Sequence, residues 1–202
     1  KGEKELTSLI REGISRADAV LVADYGKGVV TPAVCSFLIR EAQQKGIPVV
    51  IDPKGRDYDK YSGATVIKPN VKEFEDIADR EIRTDDDVQE ALLHLVDTYN
   101  LKGAILTRGS IGMSIMDEKR QAIPIPAEVR EVYDVSGAGD TVAAVLTLAL
   151  AGGMDVFEAA RIANTAAGIA VSHALTTAIT KNELEKALAE SSTAEETKII
   201  PD

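Results

Sequence analysis

The tightest constraint on this chain is one short stretch, Asp134-Val135-Ser136-Gly137-Ala138-Gly139-Asp140-Thr141, with an apolar run at 142–150 behind it. Two glycines around one alanine can lay consecutive backbone N–H groups along a tight turn. The apolar run reads as a helix, so those N–H groups sit at its positive end, an arrangement that binds anions and most commonly phosphate. A carboxylate in the same turn repels phosphate. Asp140 therefore reads in one of two ways: as a cap on the helix, or as a base that faces a hydroxyl while the N–H groups hold the phosphoryl group under attack. A P-loop is excluded, because Asp140-Thr141 and not Lys-Ser/Thr follows Gly139. A dinucleotide fingerprint would need a third glycine where Val142 stands. The second reading of Asp140 points to phosphoryl transfer.

The rest of the chain alternates apolar strands with helices. Residues 1–16 read as an amphipathic helix with Leu6, Leu9, Ile10 and Ile14 on one face. Residues 19–23 have the continuous apolar character of a buried parallel strand and run into the polar loop Asp24-Tyr25-Gly26-Lys27-Gly28. Thr31-Pro32 opens a helix that ends near Gly46. Strands at 48–51 and 64–67 lead into Asp52-Pro53-Lys54-Gly55 and Lys68-Pro69-Asn70. A helix begins near Val71, another spans 85–99 behind an acidic capping sequence, and a fourth strand at 104–107 precedes Arg108-Gly109. Residues 113–116 and 121–125 read as a hairpin. Asp155 with Glu158, and Thr180 with Glu183, open two further helices, the second followed by a polar tail at 191–202. The pattern implies an α/β fold: a doubly wound, mainly parallel sheet flanked by helices, with its strand-end loops on one edge where such sheets bind ligands.

At 202 residues one domain is the simplest organisation. A net charge of −10 argues against nucleic-acid or anionic-membrane partners. The single cysteine, Cys35, excludes an internal disulfide and fits a cytoplasmic location. With two histidines, His94 and His173, a zinc site is disfavoured.

Two segments carry a plain and a functional reading side by side. Asn70-Val71-Lys72-Glu73 has capping-box spacing, which accounts for both Asn70 and Glu73 without further function. Thr107-Arg108-Gly109-Ser110-Ile111-Gly112 has the composition of a β-turn between strands. Asn164, inside an alanine-rich helix, invites a side-chain role because asparagine disfavours that position. Lys27, Lys54 and Lys68 each follow a strand and could meet phosphate at one edge, although solvated lysines are common in such loops.

Residues 134–141 resemble the C-terminal signature of the ribokinase-like (PfkB) sugar kinases. The resemblance implies an ATP- and Mg²⁺-dependent kinase in which Gly137, Ala138 and Gly139 form an anion hole and Asp140 is the base. It implies that Asn70, Glu73, Thr107, Gly109, Gly112 and Asn164 border the nucleotide, with Glu73 acting on Mg²⁺ indirectly. Val145 and the segment Ala174-Leu175-Thr176 depart from the family pattern. Together with the loops after the first strands, the motifs look most like the D-glycero-D-manno-heptose 7-phosphate 1-kinase branch, over roughly residues 17–188. Asp24, Lys27 and Lys54 would then lie toward a sugar-phosphate substrate. Other acceptors (fructose, ribose, a nucleoside) and a nucleotide-binding fragment without turnover are the alternatives. The resemblance further implies that residues 1–190 are the C-terminal two-thirds of such a domain, lacking its N-terminal part and lid. A homodimer is possible, as is a fused nucleotidyltransferase outside this chain. The His-x-Gly-His motif of that second enzyme does not occur in these residues.

Overall fold

The computed structural model describes residues 2–128, 133–135, 137–173 and 178–197. Six strands form one mixed sheet whose spatial order follows the chain: β1 (Val20–Ala23), β2 (Val49–Asp52), β3 (Val66–Ile67), β4 (Gly103–Thr107), β5 (Gly112–Met116) and β6 (Ile123–Pro126). β1 to β4 pair in parallel, and β5 and β6 continue antiparallel as the expected hairpin. Parallel pairing places the C-terminal ends of β1 to β4 on one edge, so the loops carrying Asp24, Lys54, Asn70 and Arg108 converge there.

Helices cover both faces, each for a local reason. α1 (Gly2–Arg16), α2 (Pro32–Lys45), α3 (Val71–Ala78) and α4 (Asp85–Thr98) pack their apolar stripes on one side, around Ile39, Ile51, Ile67, Leu92, Leu95 and Leu106. α5 (Ala138–Ala151) and α6 (Val156–Val171) cover the other, where Val50, Val66, Ile105 and Ile115 meet Leu146 and the alanines of α6. Alternating strand residues thus feed two separate cores, as a parallel sheet buried on both faces requires. Val145 packs against this second core. Thr31 caps α2 by accepting from the Val34 amide, with Pro32 in the first turn, and Gly46 ends it in the left-handed region at φ 75°.

Three expectations change. Residues 19–23 give the expected parallel strand but not a buried one: β1 is at the sheet edge, and Leu21 and Ala23 are exposed while Val22 is buried. Leu9 is 60% exposed; the stripe on α1 runs through Leu6, Ile10 and Ile14 at four-residue spacing, which leaves Leu9 on its flank. The last helix, α7 (Lys181–Thr197), continues past Ser191. Residues 198–202 of the expected tail, Ser136 of the glycine stretch and the departure at Ala174-Leu175-Thr176 lie outside the described residues.

Candidate active site

α5 begins at Ala138, not at Val142 where the apolar run starts. Gly137 is its N-cap at φ 79°, a left-handed conformation that favours glycine. Ala138, Gly139 and Asp140 therefore form the first turn, where an α-helix leaves N–H groups without intrahelical acceptors. The Thr141 amide already donates to the Gly137 carbonyl. The glycine turn thus presents its amides at the helix's positive end, as its sequence implies.

The Ala138 amide makes a long contact of 3.4 Å with the Val135 carbonyl, and Ala138 and Gly139 line a cleft of about 430 Å³. Asn70, Thr107, Gly109 and Gly112 from the strand-end loops form one wall, and Ala138 and Gly139 form another. Asn164 closes it from α6, beside an apolar surface of Met113, Val142, Ala167 and Val171. All six residues expected to border a nucleotide lie in or against this cleft: five line it, and Glu73 is tied to Asn70 at its rim. Asn164 is 3% exposed and donates through Nδ2 to the Pro126 carbonyl at 2.9 Å, which holds β6 against α6. A larger cavity of about 750 Å³ lies at the opposite sheet edge, among Gln43, Pro48, Lys102 and Asp155, and includes none of these residues.

The loop glycines are there for space as well as conformation. A Cβ on Gly112 would overlap the Ile125 carbonyl oxygen, and its φ is 107°. A Cβ on Gly168, in the last turn of α6, would overlap the Glu128 carbonyl oxygen. Both glycines line the cleft and let backbone pass close to backbone.

Asn70 forms the capping box. Its Oδ1 accepts from the Glu73 amide at 2.8 Å, and Glu73 Oε2 accepts from the Asn70 amide at 3.0 Å. Glu73 Oε1 meanwhile accepts a hydrogen bond from Lys54 Nζ at 3.0 Å, and this contact raises the Lys54 ammonium pKa. Lys54 is thus engaged with Glu73, while Lys27 is exposed and makes no hydrogen bond or ion pair among the described residues. Among the described residues no hydrogen bond or ion pair ties Lys27 to another site residue.

Asp140 is exposed at the cleft mouth but outside its wall, and its carboxylate has no hydrogen bond among the described residues. Beneath the turn lies a pair that sequence reasoning did not assign. Lys68 is 4% exposed and its Nζ contacts Asp52 Oδ1 at 2.8 Å; the same Nζ is 3.7 Å from where a Gly139 Cβ would be. Burial pushes the Asp52 carboxyl up, Lys68 pulls it down, and the Glu73 and Asp140 charges add to the rise, which prevails. A cation thus sits close to the glycine turn, paired with a carboxylate that also feels the Glu73 and Asp140 charges. Its signal in the sequence was the ending of adjacent strands in Asp52 and Lys68, which the pairing of Ile51 with Ile67 brings side by side.

Asp24 is the most engaged of the acids. It is 8% exposed and accepts from Lys60 Nζ, the Tyr61 hydroxyl and the Gly26 amide, each at 2.7 Å. Burial alone would raise its pKa, but these three donors and the Lys60 charge outweigh it and hold the carboxyl below the usual range. With three donors on its two oxygens, Asp24 acts as a tie from β1 to the 3₁₀ turn at Asp59–Tyr61.

No group of three or more His, Cys, Asp or Glu side chains forms a metal cage among the described residues. The profile of the pfkB family of carbohydrate kinases matches residues 3–183. The chain belongs to this family. It is 43% identical over 182 residues to the bifunctional protein HldE of Trichlorobacter lovleyi, covering 90% of this chain and 37% of that protein. It is 41% identical over 186 residues to the HldE of Coxiella burnetii, covering 92% and 38%. The pfkB chain therefore spans little more than a third of these relatives. Its fold matches Escherichia coli phosphofructokinase-2 in complex with potassium at a TM-score of 0.78 and 23% identity, over 92% of this chain and 62% of that one. Arabidopsis thaliana ribokinase complexed with ribose and ATP matches at 0.74 and 21%, over 90% and 58%.

Proposed function

We propose that this pfkB chain carries the nucleotide-binding and phosphoryl-transfer part of an ATP-dependent sugar kinase whose acceptor is the anomeric hydroxyl of D-glycero-D-manno-heptose 7-phosphate. The observation that carries the reading is a single cleft that joins the glycine turn, Asn70, Thr107 and Asn164, with Asp140 outside its wall. That placement separates the two jobs. The apolar end by Val171 and Ala167 suits a flat base, and the amides of Gly137 to Gly139 suit phosphate oxygens. Asp140, exposed and without a hydrogen bond among the described residues, is free to accept the proton of a sugar hydroxyl. Negative charge on the transferring phosphoryl group is then held by the turn amides, with the Lys68 ammonium behind them.

Mg²⁺ would neutralise nucleotide phosphates in such a site. Glu73 and Asp52 offer the hard oxygen donors it takes, and few protein ligands are needed because it keeps several waters. Glu73, already bound by Lys54 and the Asn70 amide, fits an indirect role through such waters. Asp24, Lys27 and Lys54 stand on the acceptor side of this reading. The relatives' description as bifunctional supports a second domain, a nucleotidyltransferase, outside these residues. A cytoplasmic location accords with the lone buried thiol of Cys35, and a homodimer completes the proposal.

The test is phosphate transfer by this chain with Mg·ATP, with and without the heptose phosphate, beside calorimetric ATP binding. Heptose-dependent transfer, abolished in D140N while ATP affinity stays within about twofold, is the expected result. Full activity in D140N would remove Asp140 from the base role. Absence of ATP binding to the wild-type chain would overturn the nucleotide reading of the cleft.

A further inference from the structure

A second cavity, of about 390 Å³, backs onto the first and shares Asn70, Thr107 and Gly109 with it. Its other side is formed by three cationic residues from three segments: Lys72 on α3, Arg83 before α4, and Arg108 after β4. In a chain of net charge −10 such a convergence runs against the overall field. Lys72 has no ion pair among the described residues. Arg83 pairs with Glu81, and Arg108 with Asp85 at 3.2 Å, but these acids are 68% and 90% exposed at their side chains. The Arg83–Glu81 pair is exposed at both ends and weakly held, and the exposed carboxylate on Arg108 leaves that guanidinium further N–H donors for an anion in the cavity. The Arg108 side chain is only 17% exposed and also reaches Ser114 Oγ at 3.4 Å, which fixes its place in the cavity wall. Ile82 and Ile111 complete the lining, and Ile111 is 60% exposed with no cover.

We infer that this annex is a binding site for a phosphate-bearing small molecule, separate from the nucleotide cleft. Two guanidinium groups supply planar forks for phosphate oxygens, Lys72 supplies a mobile point charge, and the isoleucines take a carbon skeleton. A ligand seated there rests on the far side of Asn70 and Thr107, the residues that also wall the larger cleft. The site would therefore sense a phosphorylated metabolite from directly behind the nucleotide.

The test is a ¹H–¹⁵N NMR titration of the 202-residue chain with inorganic pyrophosphate at low salt. Saturable shifts are expected at the amides of Lys72, Arg83 and Ile111 and at the Nε–H signals of Arg83 and Arg108. In R83Q/R108Q, whose dispersed spectrum reports an intact fold, affinity at those signals should fall at least about tenfold. Saturable shifts confined to residues 137–140, non-saturating shifts, or an unchanged affinity in the double variant would each overturn the site. Parallel titrations with AMP and with glucose 6-phosphate decide which skeleton the isoleucines accept; failure of both to bind more tightly than pyrophosphate would overturn their assigned role. ATP shifts at residues 137–140 and Asn164 are recorded separately, so a failure of the nucleotide reading remains distinguishable from a failure of the annex.

Discussion

Asn70 shows how a residue can satisfy its local structure and still face a ligand. Its Oδ1 is used by the Glu73 amide, which leaves Nδ2 as the group with a free donor, and the residue lines both cavities. Capping and ligand contact make different demands, and substitution separates them. Aspartate caps a helix as well as asparagine does, whereas alanine costs about 1 kcal/mol. N70D should therefore melt within a degree or two of wild type, but it replaces a donor with a carboxylate in the cleft proposed to take the nucleotide phosphates. ATP affinity measured by calorimetry should fall by about tenfold or more, equivalent to about 1.4 kcal/mol. N70A should lose stability and lose less affinity than N70D. Equal affinity in all three proteins would mean that Asn70 is a cap and nothing more.

α6 carries the corresponding argument for an element. Gly168 sits in the last turn of α6, still a helical position, where alanine is intrinsically the better residue by up to about 1 kcal/mol. A Cβ there would strike the Glu128 carbonyl, so G168A should lower the unfolding midpoint despite its higher propensity, by an overpacking cost of about 2 kcal/mol. It should also weaken ATP binding, since Gly168 and Glu128 both line the cleft. A stabilised G168A would show that the 127–128 segment yields freely. Propensity misleads here because the contact is non-local, and the same distinction explains what the sequence revealed. Capping at Asn70, Thr84 and Thr180, the proline start of α2 and the hairpin of β5 and β6 are encoded within a few residues, and all were readable. The edge position of β1 depends on which strands lie beside it, so its apolar run alone suggested burial on both sides. The Asp52–Lys68 pair depends on strand register, and the start of α5 at Ala138 depends on Gly137 adopting positive φ. None of these leaves a periodic signal. The cleft was legible as a set of motifs, but the exclusion of Asp140 from its wall was not.

On the scale of the whole molecule, β1, like β6 at the other side, is an edge strand with a single neighbour in the sheet. Asp24 compensates by binding Lys60 and Tyr61, so the stability of that edge depends on an ion pair whose side chains are 3% and 11% exposed. Removing one partner of a buried pair strands the other charge, and K60M should cost about 3 kcal/mol at neutral pH. The pH dependence follows from the direction of the Asp24 shift. Its carboxyl is held below the usual range, so the stability it contributes is present above the unfolded-state pKa of about 3.9 and is lost as pH falls through the lower folded value. In K60M the main opposing cation is gone, burial acts with less resistance, and the carboxyl moves up. A carboxyl with a raised folded pKa has the opposite sign: protonation on acidification relieves the stranded charge. The stability gap between wild type and K60M, taken from urea unfolding at successive pH values, should therefore be widest near pH 7 and narrow steadily toward pH 4. A gap independent of pH would mean that Lys60 stabilises the edge through its packing over the Tyr61 ring, 4.9 Å from the centroid, and that its charge contributes little.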